Sequence, residues 1–358
     1  MFPLKFTRIF VIAWSLLSLP KTDLQAQPTD SNLPAASKHP ELRFEQSVPA
    51  MGSHVDFVVY AQSESDAQKV IGDGLAEIER LSKVLSNYDS ESEISKLCSA
   101  PKDAWTSLSP DLTAVLVHSR RWHQLSLGKF DITVGPLTQL WRAQRKRKQL
   151  PTQRAVADAK ERSGWNYVDL DLRLESEARN EHARASLRKD QMLLDLSGIA
   201  VGYILDAAFE KMKNPASNSI LINAGGDIRV GDAPPNTRGW RIVIAGLGKD
   251  SPPLSKLEIS NCAITTSGDL NQYVEIDGRR YSHFIDPSNG EPIERRQSVT
   301  VIAATTVDAD AGATALAVLG MDQASEHFDR MPITQAVILE AGAADGPVRL
   351  RWLTQSAN

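Results

Sequence analysis

Two cysteines, Cys98 and Cys262, are all that 358 residues contain. A disulfide framework is excluded, and the two read more readily as unpaired small hydrophobes than as a bridge. The chain lacks a membrane span. The apolar run from Ile9 to Leu19 falls short of the roughly 20 residues such a helix requires. It lacks basic excess as well: 40 Lys and Arg against 44 Asp and Glu leave a formal charge of −4, a poor match for nucleic acid. Neither G-x-G-x-x-G, a P-loop nor G-x-S-x-G occurs, which counts against the common dinucleotide, nucleotide and α/β-hydrolase designs. His283 has no second histidine at ligand spacing and no cysteine pair nearby, so zinc is disfavoured.

What is present starts with an export signal. Lys5 and Arg8 precede the short apolar run, and Leu24-Gln25-Ala26 offers a small-residue cleavage site. The expected organisation is a signal over 1–26, a Pro- and Ser-rich flexible leader over 27–41, and one large domain over 42–354. No cysteine follows the apolar run, so a lipid anchor is not expected. The product should be extracytoplasmic, periplasmic in a cell with two membranes, and without stable membrane insertion. The cluster Arg142, Arg145, Lys146, Arg147 and Lys148 reads as a solvated surface rather than a docking patch.

Apolar periodicity places helices over Asp66 to Leu85, from Ser109-Pro110 through Trp122, over Ile199 to Lys213, Ala309 to Leu319 and Asp322 to Met331. Strands are expected at Val55 to Ala61, Leu193 to Leu196, Ser219 to Asn223, Trp240 to Ala245, Leu257 to Thr265 and Gln272 to Ile276. Three more fall at Ser298 to Ala304, Gln335 to Leu339 and Val348 to Leu353. Residues 142–190, highly charged, suggest a helix and an exposed hairpin. This mixture is α+β, mixed sheets with flanking helices in one large or two intimately packed subdomains.

Asp310 and Thr314 stand four apart at the opening of the Ala-rich helix, stacking a carboxylate over a hydroxyl, hard oxygen ligands of the kind Mg²⁺ or Ca²⁺ prefers. The helix N-terminus beside them would favour phosphate. Four glycine-bearing polar segments join them: Gly128 to Leu137, Asp195 to Gly202, Asn223 to Asp227 and Thr265 to Asp269. Singly each is an ordinary turn; together they suit a large phosphate-bearing ligand. His283, ahead of the Asp286-Pro287/Asn289-Gly290 turn, is either a satisfied core histidine or a general acid or base. Tyr88 offers a ring on which a nucleotide could stack, or a core tyrosine.

In order, Met51-Gly52-Ser53, Ser86-x-Tyr88, Phe130 to Leu137, Asp195 to Tyr203, Ile222 to Asp227, Thr266 to Asp269, His283 to Pro292 and Ala309 to Ala315 resemble the ApbE family of FAD:protein FMN transferases, over roughly residues 42–354. The resemblance implies an enzyme that uses FAD as substrate with Mg²⁺ and moves FMN to a threonine hydroxyl of an acceptor protein, releasing AMP. It implies a metal held by Asp310, Thr314 and backbone oxygens near Gly198 and Ala313. It also implies FAD contacts at Met51, Tyr88, Lys129, Phe130, Asp131, Asp195, Val201 and Ile285, with His283 helping to activate the acceptor hydroxyl. Val201 stands where many relatives have Lys, and Cys98 where Asn is common. Two alternatives share these residues: an FAD pyrophosphatase using water, and a non-catalytic flavin-binding protein. The latter draws on Ala311-Gly312-Ala313-Thr314, which looks like an acceptor's own flavinylation site.

Cleavage after Ala26 is the expected outcome, and N-terminal sequencing of the exported product should begin close to Gln27. A product retaining Met1 would contradict the export reading.

Overall fold

The computed structural model describes residues 41–355 apart from 173–182, 214–217, 249–250, 271 and 342–346. The expected signal, nearly all of the leader and part of the expected hairpin within 142–190 lie outside the described residues. The first two strands, β1 (Leu42–Ala50) and β2 (Ser53–Ala61), form a hairpin around Met51-Gly52. Both turn residues have positive φ, 49° and 73°, the two-residue turn whose twist matches the strands. Helix α1 (Glu64–Leu85) follows, capped by Ser63, then α2 (Glu93–Ser99), β3 (Thr106–Ser107) and α3 (Pro110–Leu125), which Ser109 caps with Pro at its first position. Next come α4 (Gly135–Arg147), α5 (Gln153–Lys160), the hairpin strands β4 (Val168–Asp171) and β5 (Arg184–Leu187), and α6 (Ala200–Met212).

Strands then dominate: β6 (Ile220–Ala224), β7 (Asp227–Val230), β8 (Trp240–Ile244), β9 (Ser255–Ile259), β10 (Cys262–Gly268), β11 (Tyr273–Ile276) and β12 (Arg279–Ser282). After β13 (Ile285–Asp286), β14 (Glu291–Pro292) and β15 (Arg296–Ala303) come α7 (Thr306–Leu319), α8 (Met321–His327), β16 (Gln335–Ala341) and β17 (Val348–Thr354). One sheet of eight strands, ordered β1-β2-β6-β7-β10-β15-β16-β17 and antiparallel throughout, organises the molecule. This is the α+β architecture the sequence indicates.

Period-two alternation divides the strand residues between two cores. Phe57, Ile222, Ala263 and Val301 face the helices, whereas Val58, Leu221, Ile264 and Ile302 face the β8–β9 hairpin and its Trp240 and Ile242. Helices α1, α6 and α7 cover the first face. Helix α7 is Ala-rich because it is buried on nearly every side; only small side chains let the sheet, α3 and α6 approach it together.

Three expectations change. Leu193 to Leu196, with Leu194 and Leu196 buried, forms no strand. Asn87 takes the place of a strand neighbour, its Nδ2 donating to Leu194 O at 2.5 Å and its Oδ1 accepting from Leu196 N at 2.8 Å. Leu257 to Thr265 is two strands in two sheets, β9 and β10, parted at Asn261, where φ is 53°. Helix α7 starts three residues earlier than Ala309, so Asp310 lies in its second turn. Its N-terminus is no vacant phosphate cradle: Asp206 accepts from Thr306 N, Thr306 Oγ1 and Val307 N at 2.8, 2.8 and 2.9 Å.

Asp206→Ala removes all three bonds from a buried helix start and should cost about 2 kcal/mol. Urea unfolding should show a lower midpoint at unchanged slope; an unaltered midpoint would contradict this capping role.

Candidate active site

The strand register gathers the glycine-bearing segments. Ala50 pairs with Ser53 around Met51-Gly52, Val55 with Ala224, and Ala224 with Asp227 around Gly225-Gly226. Thr265 pairs with Asp227, and Gly268 with Ser298. Both turns and the end of β10 therefore lie at one end of the main sheet. At Gly225 and Gly226 a Cβ would meet open space; their positive φ, 67° and 111°, is what demands glycine.

Across this end runs α7, and its repeat matches the strand beneath it. Four helical residues rise about 6 Å and two strand residues about 6.7 Å. Asp310 and Thr314 can thus stand over Thr265 and Ser267. Thr314 Oγ1 lies 3.4 Å from Ser267 Oγ, and a Cβ on Gly198 would come within 3.0 Å of that same Thr314 oxygen. Asp310 Oδ2 accepts from Gly202 N at 3.1 Å. A Cβ on Gly202 would meet Thr306 O at 2.5 Å, so only glycine admits this approach of α6 to α7. Burial, and then the charge of Asp227, hold the Asp310 carboxyl well above its ordinary pKa; burial pushes Asp227 up to about 6. Ala313 is buried immediately before Thr314.

A second group forms the rim. Tyr88 is 80% exposed, so the core-tyrosine reading falls, and the guanidinium of Arg142 lies 5.4 Å from its ring centroid. His283 packs on Phe284, with ring centroids 4.0 Å apart, and its buried Nδ1 has no hydrogen-bond partner, unlike a satisfied core histidine. Burial first, then the positive charge of Arg145, lower its pKa to about 4, against opposing pulls from Asp269 and Asp195. Lys129 Nζ bonds both carboxylate oxygens of Asp286 at 2.8 Å. The Phe130 ring lies against Gly198. Asp131 accepts from Thr133 N and Oγ1 at 2.8 and 2.7 Å. Asp195 accepts from Ser197 N at 3.0 Å. Val201 is half-buried in the first turn of α6, and Ile285 is buried in β13.

Sequence reasoning missed two residues here. Asp227 enters the sequence reading only as the end of a glycine-bearing polar segment, with no role of its own, though it is the carboxyl neighbour of Asp310. Arg145 was assigned to solvent, yet it is half-buried and faces His283, whereas Lys146, Arg147 and Lys148 are exposed. The i, i+4, i+8 spacing of Leu137, Trp141 and Arg145 was the available signal. Cys98 and Cys262 are both free, and Cys98 Sγ accepts from Leu194 N at 3.3 Å. Asp308 is not idle either: it accepts from Trp122 Nε1 at 3.0 Å.

Residues 51–338 match the model of the ApbE family. The FAD:protein FMN transferase of Haemophilus influenzae is 29% identical over 302 residues, spanning 80% of this chain and 83% of that protein. The FAD:protein FMN transferase of Escherichia coli K12 is 30% identical over 273 residues, spanning 73% and 74%. Among solved structures, the flavin transferase ApbE from Vibrio cholerae superimposes with a TM-score of 0.74 at 25% identity, covering 88% of this chain and 98% of that one. The ApbE protein of Thermotoga maritima gives 0.74 at 26% identity, covering 86% and 96%.

The depressed pKa of His283 makes a stability prediction. Between its ordinary 6.5 and about 4 the unfolded chain binds a proton that the folded one refuses. This contribution is therefore complete above 6.5 and is lost as pH falls through that window. From pH 7.5 to 4.5 the parent should lose on the order of 2 kcal/mol more than His283→Gln, read from urea midpoints. Parallel pH profiles would contradict it.

Proposed function

The chain belongs to the ApbE family, and from that premise we propose that it is an FAD:protein FMN transferase that delivers FMN to a threonine hydroxyl of an acceptor protein with the help of Mg²⁺. The hydroxyl oxygen bonds to the flavin-side phosphorus, the pyrophosphate P–O bond breaks, and AMP departs with the bonding electron pair. The hydroxyl proton passes to a base. The observation that carries this reading is the stacked Asp310/Thr314 pair at the sheet end, where Thr314 meets Ser267 of β10, with a neutral histidine held near Asp269 just beyond the same strand.

The residues suit magnesium. Among the described residues no cluster of three or more His, Cys, Asp or Glu is arranged to hold a metal. A cation here would rest on one or two carboxylates with hydroxyl and backbone oxygens, which is how Mg²⁺ is ordinarily bound. Asp310 and Thr314 would hold it, with backbone oxygens near Gly198 and Ala313, and Asp227 supplies a second buried carboxyl beside Asp310. When bound, Mg²⁺ offsets the negative charge of the pyrophosphate.

The chain's own side chains do the rest. His283 is neutral at physiological pH and can accept the hydroxyl proton. A conjugate acid near 4 makes it a weak base, which puts its contribution at the low end of the ~10²–10⁴-fold range for positioned bases. Tyr88 presents its face for stacking, and the family resemblance assigns Met51, Phe130, Val201 and Ile285 as further contacts to the nucleotide. Thr314 lies within α7, unlike an acceptor threonine presented on a loop, so the self-flavinylated carrier is disfavoured. Among the described residues no helix is long and apolar enough to cross a membrane. Lys5 and Arg8 ahead of a short apolar run, followed by Leu24-Gln25-Ala26, support action outside the cytoplasm.

Incubation with FAD, Mg²⁺ and an acceptor domain bearing an exposed threonine should add the mass of FMN to the acceptor. It should add none to Thr314 of this chain. Asp310→Asn keeps an oxygen for Gly202 N–H but loses the charge. It should abolish labelling and remove the rise in melting temperature that Mg²⁺ gives the parent. Labelling and Mg²⁺ response equal to the parent's would refute the metal assignment.

A further inference from the structure

One stripe of α4 ends in a residue that the reaction as described leaves unused. Leu137, Trp141 and Arg145 follow one another at four-residue spacing on its inner face, and the first two are buried. Trp141 fixes this face: its ring stacks on Tyr281 at 5.8 Å with 21° between planes, and its Nε1 donates to Gly290 O at 2.9 Å. His283 lies two residues beyond Tyr281, and Arg145 one turn beyond Trp141, so docking the indole brings the guanidinium to the histidine. Arg142 lies on the adjoining side against the Tyr88 ring.

Among the described residues neither arginine has a carboxylate within ion-pair distance. Among the described residues several other half-buried arginines are matched, although Arg120 and Arg296 are not. Arg280 meets Asp269 at 3.2 Å, Arg295 meets Glu340 at 3.6 Å, and Arg229 meets Asp206 at 3.5 Å. The charged groups around His283 are Arg145 from α4, Asp195 ahead of α6, and Asp269 after β10, the last already bonded to Arg280 and to Gln297 N. Two guanidinium groups near one another, partly out of water and lacking an acid, make a site for an anion with several oxygens.

We propose that Arg145, with Arg142 beside it, binds the phosphate oxygens of the nucleotide next to His283 and so positions the phosphorus for attack. The inference rests on the flavin-transfer reading, which puts the attacked phosphorus beside the base. It identifies a pair of residues outside the metal group that carries part of the same charge. Arg142 has a second task in this arrangement, bracing the Tyr88 ring against which the nucleotide's base would lie.

The test measures binding of FAD and of riboflavin without Mg²⁺ to the parent, Arg145→Gln and Arg145→Lys, at low and high salt, with acceptor labelling measured in parallel. Arg145→Gln should weaken FAD about tenfold or more and flatten its salt dependence while leaving riboflavin, which has no phosphate, unchanged. Arg145→Lys should fall between the two, since it keeps charge without the fork. Parent-like FAD affinity in Arg145→Gln overturns the proposal. Loss of labelling at unchanged FAD affinity also overturns it, and assigns the arginines to the acceptor protein. Equal loss of FAD and riboflavin with a lowered melting temperature overturns it too, leaving Arg145 a structural role. A parent that binds no FAD either with or without Mg²⁺ would instead refute the flavin-transfer reading itself.

Discussion

Because α7 is enclosed by the sheet, α3 and α6, every polar group on it needs a partner already in place. The partners come from all around it. Thr306 and Val307 are met by Asp206 of α6, Asp308 by Trp122 of α3, Asp310 by the Gly202 amide and Thr314 by Ser267 of β10. The same enclosure that makes the helix Ala-rich holds two oxygen-bearing side chains in fixed positions over the sheet end. Loops bring the other groups to that end; α7 determines where the end is.

Charge is distributed unevenly around it. Asp269, from the glycine-bearing segment after β10, is fully buried and committed to Arg280 and the Gln297 amide, so it supports structure rather than facing ligand. Asp227 and Asp310 face each other out of water, an arrangement that disfavours two negative charges unless a cation joins them. On the rim the sign reverses, with Arg142 and Arg145 near a histidine that stays neutral. An elongated anion that carries its own cation fits this gradient better than either end alone would suggest.

Much of this was legible in the order of residues. Helix α1 declares itself by period, α3 by Ser109-Pro110, β15 and β16 by apolar runs with β-branched residues, and β17 by alternation. The ordered motifs named the family, and the mixture of strands and helices named the α+β class. What escaped was non-local. Leu193 to Leu196 has the composition of a strand, and only the distant Asn87 makes a coil acceptable there. The break between β9 and β10 was written as Ser260-Asn261, a modest turn signal inside an apolar stretch. β1, exposed along most of its length, carries no apolar alternation to announce it. The inward turn of Arg145 depends on Trp141 finding Tyr281, a pairing that spacing suggests but cannot assign.

The pairing of β2 with β6 has a consequence for how the chain assembles. Val55 meets Ala224 across an excursion that holds α1 through α6, whereas β15, β16 and β17 pair with near neighbours in sequence. Closure entropy grows only logarithmically with loop length, so the excursion costs little at equilibrium. Rate is another matter, since distant pairings must be found before they are rewarded. The half of the sheet beyond β10 can form from local contacts, while the Met51 turn reaches Gly225-Gly226 only when the long excursion has folded back. Half of the proposed active-site end is therefore assembled by the least local step in the fold, and activity during refolding should lag behind the gain of strand structure.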